Sequence, residues 1–404
     1  MAEGKTPLLA VEEALGRLLE GVEPLADEMV PLTTAHGRAL AEPIAARLTQ
    51  PPFDASAMDG YAVRAADATV APARLTVIGE SAAGRSFPGR VTAGQAVRIF
   101  TGAPLPPGAD AVVIQEDARR DGATVIIAQE TVRGENIRER GKDFTTGELL
   151  FQAGHRLNAR DLMLAASSGH GALAVRRRPR VSILATGDEL VPPGATPGPD
   201  QIVSSIPVGL AAMIAAAGGE AKLLGIARDT LPDLEAKIAA ASDADILVTI
   251  GGASVGDYDL VQQALTARGL NLAFWRIAMR PGKPLMYGKL GAQRVLGLPG
   301  NPVSATLCAQ IFLLPLIRAL QGAEPAVAMT TGLLAAALAA NGPRQHYIRA
   351  RIVTPGTPPT VEALPSQDSS LVATLARADC LIVQPALGAA QASGETVMLL
   401  PLEG

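Results

Sequence analysis

At 404 residues the chain is long enough for about two to four domains of ordinary size. Hydrophobic residues make up 48% but aromatics only 3%, so the cores must be built from Ala, Leu, Val and Ile, with little material left for stacking single-stranded bases. A formal net charge of −4 further excludes a sequence-independent DNA binder, which needs a clustered basic surface.

Leu8, Leu9, Val11, Leu15, Leu18 and Leu19 mark one face of an amphipathic helix that opens the chain. Met1–Pro7 before it is polar and lacks a signal-peptide apolar core, which reads as a cytoplasmic protein. Pro51–Pro52 breaks the pattern. Short β-rich runs follow at Leu75–Ile78, Val97–Phe100, Ala111–Ile114 and Thr124–Ile127, separated by Gly and Pro clusters. A helix is predicted over Ala159–Ser167. The β-rich stretch therefore reads as an insertion (46–140) within an N-terminal region (1–45 and 141–177). The basic run Arg176, Arg177, Arg178 and Arg180 is interrupted by Pro179 and reads as a solvated linker.

From Arg180 the period changes. Predicted strands at Val181–Ala185, Lys222–Ile226, Ile246–Ile250 and Leu272–Ile277 alternate with predicted helices at Pro207–Ala217, Leu231–Ala241 and Leu260–Arg268. Short runs at Leu285–Tyr287 and Val295–Leu298 precede a long apolar helix, Val303–Leu320, that Gln310, Pro315 and Arg318 interrupt. That helix falls short of a clean membrane span and holds Cys308 as a buried small hydrophobe. Such alternation predicts βαβ units and a parallel, doubly wound sheet over 178–326. The remainder, 327–404, has strand-like runs at Tyr347–Val353, Leu381–Gln384 and Val397–Leu400 and reads as a small β domain. The fold class expected is thus multidomain α/β, with a central doubly wound α/β domain, an inserted β-rich N-terminal domain and a small β C-terminal domain.

In open α/β sheets ligands bind outside the carboxyl ends of the strands. The residues that follow each predicted strand of the middle domain are accordingly the candidates. They are Thr186-Gly187-Asp188-Glu189, Arg228-Asp229, the run Gly251 to Asp259, Arg280-Pro281-Gly282-Lys283-Pro284, and Pro299-Gly300-Asn301-Pro302-Val303-Ser304. A single Asp after a strand is commonly a helix cap, but five charged or glycine-rich loops on one edge exceed that explanation. Gly251, Gly252 and Gly256 free backbone N–H groups at the start of a helix, and Gly300, Asn301 and Ser304 do the same before the long one; such N–H groups favour anions. Arg280 and Lys283 add cations for a phosphate or oxyanion. Asp188, Glu189, Asp229, Asp257 and Asp259 would crowd like charges together unless a cation intervenes. Oxygen ligands without His or Cys suit Mg²⁺. The residues alone therefore point to a Mg²⁺-dependent site for a phosphate-bearing or nucleotide-bearing ligand. Asp59 and Asp143, read locally, are turn residues.

Taken in order, Phe53 to Val63, Phe100-Thr101-Gly102-Ala103-Pro104, Thr186 to Leu190, Gly251 to Asp259, Arg280 to Pro284 and Pro299 to Ser304 make the chain similar to the molybdopterin molybdenumtransferases. These are molybdenum insertases related to a part of eukaryotic gephyrin, and the similarity runs from about residue 8 to residue 403. The resemblance implies a four-part subunit in an elongated homodimer whose active site is shared between the middle domain of one subunit and the β-rich domain of the other. On that basis Asp59, Thr101 and Asp143 join Asp188, Glu189, Asp229 and Asp259 as catalytic candidates, Asp259 foremost. Asp188, Glu189 and Asp259 are the implied metal ligands. The implied substrate contacts are Gly251, Gly252, Ser254, Gly256, Asp257, Arg280, Lys283, Pro299, Gly300, Asn301, Ser304, Arg349, Ser369 and Ser370, the last three linked to oxyanion binding. Some family members carry Lys where this chain has Arg280. The implied reaction is Mg²⁺-assisted insertion of molybdate, as co-substrate, into adenylylated molybdopterin with loss of AMP. The implied partners are a second copy of the chain, other cofactor-synthesis proteins and apo-molybdoenzymes, with no nucleic acid or membrane. Two rival readings are a relative that adenylylates molybdopterin or hydrolyses nucleotides with the middle fold alone, and a scaffold. The Asp59 loop and the Ser369-Ser370 segment weigh against the first, and the retained acidic set weighs against the second.

Overall fold

The computed structural model describes residues 8–251, 260–326 and 328–402. The middle domain positions most of the site. Its strands and helices run β1 (Arg180–Thr186), α1 (Ile206–Ala216), β2 (Glu220–Ala227), α2 (Leu231–Ala239), β3 (Ile246–Ile250), α3 (Leu260–Ala267), β4 (Asn271–Trp275), β5 (Met286–Leu290), β6 (Gln293–Leu298) and α4 (Pro302–Leu320). The sheet order is β2-β1-β3-β6-β5-β4. The first three pairings are parallel, but β6–β5 and β5–β4 are antiparallel. The expectation of a wholly parallel sheet is therefore corrected to a mixed one. The physical reason is local: Gly291, at φ +62°, lets Leu290 turn directly into Gln293, so β5 and β6 form a hairpin with no crossover helix. Strand β4 still ends on the same edge as β1, β2, β3 and β6.

Both faces of the sheet are covered. Val181, Ile183, Ile246 and Val248 pack beneath α1 and α4, while Leu184 and Leu247 pack with Leu234, Val261 and Leu265 of α2 and α3 on the other side. Helix α4 is buried along nearly its whole length, which accounts for its apolar sequence. A π-helical stretch, Ala309–Leu313, lies inside it just before Pro315, whose missing N–H cannot continue the regular ladder. The helix that opens the chain, Val11–Leu19, packs Val11, Ala14 and Leu18 into this same core rather than onto its sequence neighbours.

The N-terminal region doubles back on itself. Asp27–Pro31 pairs with Ala172–Arg176, and Ile44–Ala45 with Leu149–Phe151. Between them lies a six-stranded sheet in the order 111–114, 60–63, 95–99, 73–81, 124–127, 118–121, with an apolar cluster on each side. The helix Ala159–Ser167 is set by a capping box in which Asn158 accepts from the Arg160 and Asp161 N–H groups and Asp161 accepts from the Asn158 N–H. The C-terminal domain is a barrel: Gln345–Thr354 pairs with Thr360–Ala363 and with Cys380–Gln384, and Thr330–Leu334 and Thr396–Pro401 close the ring.

The arginine run is not a solvated linker. Arg176 donates to the Leu25 and Ala41 carbonyls, Arg178 to Gly218, and Arg177 makes a bidentate pair with Asp245 at 2.7 and 2.8 Å. Arg177 and Arg178 tie the N-terminal region to the middle domain, and Arg176 ties its strand to earlier segments of that same region, while Arg180 stays exposed.

Candidate active site

A cleft of about 390 Å³ opens at the carboxyl edge of the middle sheet, within the range of small-molecule sites. Two glycines shape its floor. Gly251, at φ +89°, ends β3, and a Cβ there would meet Thr186 O and Oγ1 at 2.9 Å each; a Cβ on Gly300 would already touch Gly251. The loops after β1, β3 and β6 therefore approach each other with only backbone between them. Thr186 caps the junction by donating its hydroxyl to the Ile250 carbonyl at 3.3 Å.

Two helix N-termini face the cleft. Asn301 is the N-cap of α4 and Ser205 that of α1; neither uses its side chain as a cap, and each helix has Pro in its first turn. Pro302 and Pro207 have no N–H, and the Val303 N–H is taken by the Ser369 carbonyl. The first-turn donors left to favour an anion are those of Ile206 and Val208 in α1 and Ser304 in α4. The remaining wall is apolar, from Leu190, Ile202, Val203, Ile206 and Val372. Ser204, Ser205, Ile202 and Val203 were missed from the sequence. Ile202–Val203 pairs in parallel with Leu190–Val191, only two residues each, too short to show periodicity. The readable signal was Ser204-Ser205 just before a helix with Pro in its first turn.

Beside the cleft the carboxylates gather. Glu189 lines it; Asp188 accepts from the Asp229 N–H at 3.3 Å. The Asp229 carboxyl is pushed above the usual carboxylate range, first by partial burial and then by the charges of Asp188 and Glu189. These three are brought together as expected of one edge. Gly252, Ser254, Gly256, Asp257 and Asp259 lie outside the described residues. Among the described residues no three His, Cys, Asp or Glu side chains converge closely enough to hold a metal ion by themselves.

The cationic candidates sit at the seam with the barrel. Arg280 lies in a two-residue strand, Met279–Arg280, that pairs with Gln345–His346. Lys283 follows, with its side chain exposed. Arg349 is 1% exposed and donates to the Asp368 and Ser366 carbonyls at 3.0 and 3.3 Å, and its pKa is lowered by burial. Asp368 in turn accepts from the Ser370 N–H and hydroxyl, each at 2.8 Å. Ser370 lines the cleft, and the Ser369 carbonyl accepts from the Val303 N–H in the first turn of α4. Pro299 and Ser304 are buried behind the cleft rather than in its lining.

The remaining candidates are in the N-terminal region. Asp59 Oδ1 accepts from the Thr101 N–H at 2.7 Å and the Thr101 hydroxyl at 2.9 Å, and these two bonds hold its carboxyl below the usual range. Asp143 lies in a separate cleft of about 360 Å³ with Gln50, Pro51, Arg138 and Lys142. None of the three lines the middle-domain cleft.

Comparison with known proteins agrees along the whole chain. Residues 9–169 match the MoeA N-terminal region (domains I and II), residues 182–319 a probable molybdopterin-binding domain, and residues 331–402 the MoeA C-terminal region (domain IV). The molybdopterin molybdenumtransferase of Nostoc sp. is 37% identical over 93% of this chain and 88% of its own length. That of Haemophilus influenzae is 37% identical over 78% of each. Two crystal structures of the molybdopterin biosynthesis MoeA protein from Pyrococcus horikoshii superpose with TM-scores of 0.83 and 0.84 at 30% and 27% identity. Each covers 98% of this chain and 100% of its own. With its fold, domain order and relatives in accord, the chain belongs to the molybdopterin molybdenumtransferase family and is a transferase of molybdenum cofactor biosynthesis.

Proposed function

We propose that the enzyme inserts molybdate into adenylylated molybdopterin with release of AMP, in a homodimer whose active site is completed by the Asp59–Thr101 pair and Asp143 of the second subunit. The observation that carries this reading is the middle-domain cleft, which sets two helix N-termini without side-chain caps beside Glu189, with Asp188 and Asp229 adjacent. A ligand with phosphates at one end and an uncharged ring at the other fits N–H donors beside an apolar wall.

The donor chemistry suits Mg²⁺, since Asp188, Glu189 and Asp229 supply only hard oxygens and the crowding that raises Asp229 is what a cation relieves, but these three do not converge closely enough to hold it alone. Asp188 and Glu189, with Asp259, would hold it, and a bound Mg²⁺ would neutralise charge on the phosphoanhydride. The N–H groups at Asn301 and Ser205 orient the phosphates. Arg280, Lys283 and Arg349 draw the oxyanion to the seam with the barrel, with Ser369 and Ser370 beside it. Two free, buried cysteines suit a reducing compartment, and we place the enzyme in the cytoplasm.

The test incubates purified protein with adenylylated molybdopterin, Mg²⁺ and molybdate, and follows AMP together with reconstitution of an apo-molybdoenzyme. Release of AMP and reconstitution, both lost in Asp259→Ala with substrate still bound, are expected. A folded dimer that releases no AMP would refute the reaction. Full activity from a monomer in sedimentation would refute the shared site.

A further inference from the structure

Beside the Asp59–Thr101 pair lies Arg98, which makes no hydrogen bond to either side chain among the described residues. Asp59 precedes the strand Gly60–Val63, and Thr101 follows the antiparallel strand Gln95–Ile99. Both stand at the same end of the pair, on exposed chain where their geometry would ordinarily be loose. Arg98, on the second strand, lies across that end. Its Nη1 donates to the Gly60 carbonyl at 3.1 Å, and its Nη2 to Gln115 Oε1 at 2.9 Å. The Gln115 N–H donates in turn to the Asp59 carbonyl at 2.9 Å. The guanidinium also covers the rings of Tyr61 and Phe100, at 5.2 and 4.8 Å from their centroids.

Apart from Tyr61, each of these contacts of Arg98 is to a chain neighbour of the pair or a hydrogen-bond partner of its backbone. Gly60 follows Asp59, Phe100 precedes Thr101, and Gln115 holds the Asp59 main chain. We infer that Arg98 is the positioning residue that fixes the Asp59 carboxylate against the Thr101 N–H and hydroxyl, acting through Gly60, Gln115 and Phe100. This rests on the role proposed above for Asp59 and Thr101. Arg98 forms no ion pair with Asp59 among the described residues, yet its charge adds to the two Thr101 bonds that keep the carboxylate ionised. A planar fork is required because two acceptors in different directions must be met while the flat face rests on two rings; a lysine reaches one acceptor and stacks poorly.

The experiment uses the full-length protein with Arg98→Met, which keeps the apolar stem and deletes the fork, and Arg98→Lys, which keeps the charge. The Thr101 amide proton, followed in ¹⁵N-resolved spectra, reports its bond to a carboxylate directly. It should move upfield in Arg98→Met, with a smaller move in Arg98→Lys. Activity should fall at least tenfold in Arg98→Met, mainly in kcat, and Arg98→Lys should recover only part of it. In an Asp59→Asn background the Arg98→Met loss should shrink to less than threefold, because the group being positioned is already gone. An unmoved Thr101 amide in Arg98→Met, or an equal loss in the Asp59→Asn background, overturns the inference. If Asp59→Asn retains wild-type activity, it is the assigned role of Asp59 that fails, and the Thr101 amide alone then decides for or against Arg98. A melting temperature within a few degrees of wild type shows that the variants are folded; should Arg98→Met not fold, the Arg98→Lys amide shift and its own double substitution with Asp59→Asn decide.

Discussion

The backbone N–H of Val303 donates to the Ser369 carbonyl at 3.0 Å, so the first turn of α4 carries a strap from the C-terminal barrel. The strap is held at its other side by Arg349, buried to 1% exposure and donating to the Ser366 and Asp368 carbonyls. Arg349→Ala should cost about 2–3 kcal/mol, the loss of charged hydrogen bonds to two carbonyls in a buried place. Hydrogen exchange of the Val303 amide, which donates to the strap, is the measurement, and unchanged protection would contradict the role of Arg349 as the anchor of this strap.

The crowding of Asp188 against Asp229 should make the site less stable than it need be. Asp188→Asn keeps the side-chain oxygen that accepts from the Asp229 N–H and removes one charge. Without added divalent cation the variant should be more stable than the parent by about 0.5–1 kcal/mol, while losing AMP release. A thermal melt in EDTA, compared with one in excess Mg²⁺, checks both the sign and its reversal.

Asp245 supports the joint between the N-terminal region and the middle sheet. It accepts a bidentate pair from Arg177 and the Arg180 N–H at 2.8 Å. Burial raises its pKa, but the Arg177 hydrogen bonds and that N–H outweigh burial and hold it below the ordinary value. Asp245→Ala should cost about 3 kcal/mol. Because the folded-state pKa is depressed, the contribution is present in full above the unfolded value of about 3.9 and fades as pH falls through the folded one. The stability gap between parent and variant should therefore be constant from pH 7 to about 5 and close below about pH 4. A gap that widens in acid would contradict the assignment.

Gly60 admits no side chain: a Cβ there would sit 1.8 Å from the Val113 carbonyl oxygen. Gly60→Ala should push apart the strands 60–63 and 111–114 and cost more than about 3 kcal/mol, with Asp59 displaced alongside. Limited proteolysis of the β-rich domain should show it opening while the middle domain stays intact.

Much of this fold could be read from the residues. Ala111–Ile114, Thr124–Ile127, Ile246–Ile250 and Ala159–Ser167 fall where the short β-rich runs and the helical pattern place them. Asp27–Pro31 did not, because its residues are acidic and largely exposed, and its pairing with Ala172–Arg176 spans 140 residues of chain that periodicity cannot see. The parallel reading of the middle sheet failed at Gly291, a lone glycine that outweighed the βαβ rhythm before it. At the site, Glu189, Gly251, Gly300, Asn301 and Ser370 meet around one cleft. Asp59 and Asp143 lie in other parts of the structure, and no local pattern could relate them to it. The arginine run misled in the other direction, since charge in sequence says nothing about whether carbonyls wait opposite.

The β-rich domain leaves the chain through Ile44–Ala45 and returns through Leu149–Phe151, with Gln50 bridged to Phe144 a little further out. A body carried on two adjacent antiparallel rails is not carried like a bead on a string. A ribbon one backbone thick bends readily across its flat face and resists bending within its plane. The Asp59–Thr101 end is thereby joined to the rest of the N-terminal region by paired rather than single chain, so displacing it means bending that ribbon as well.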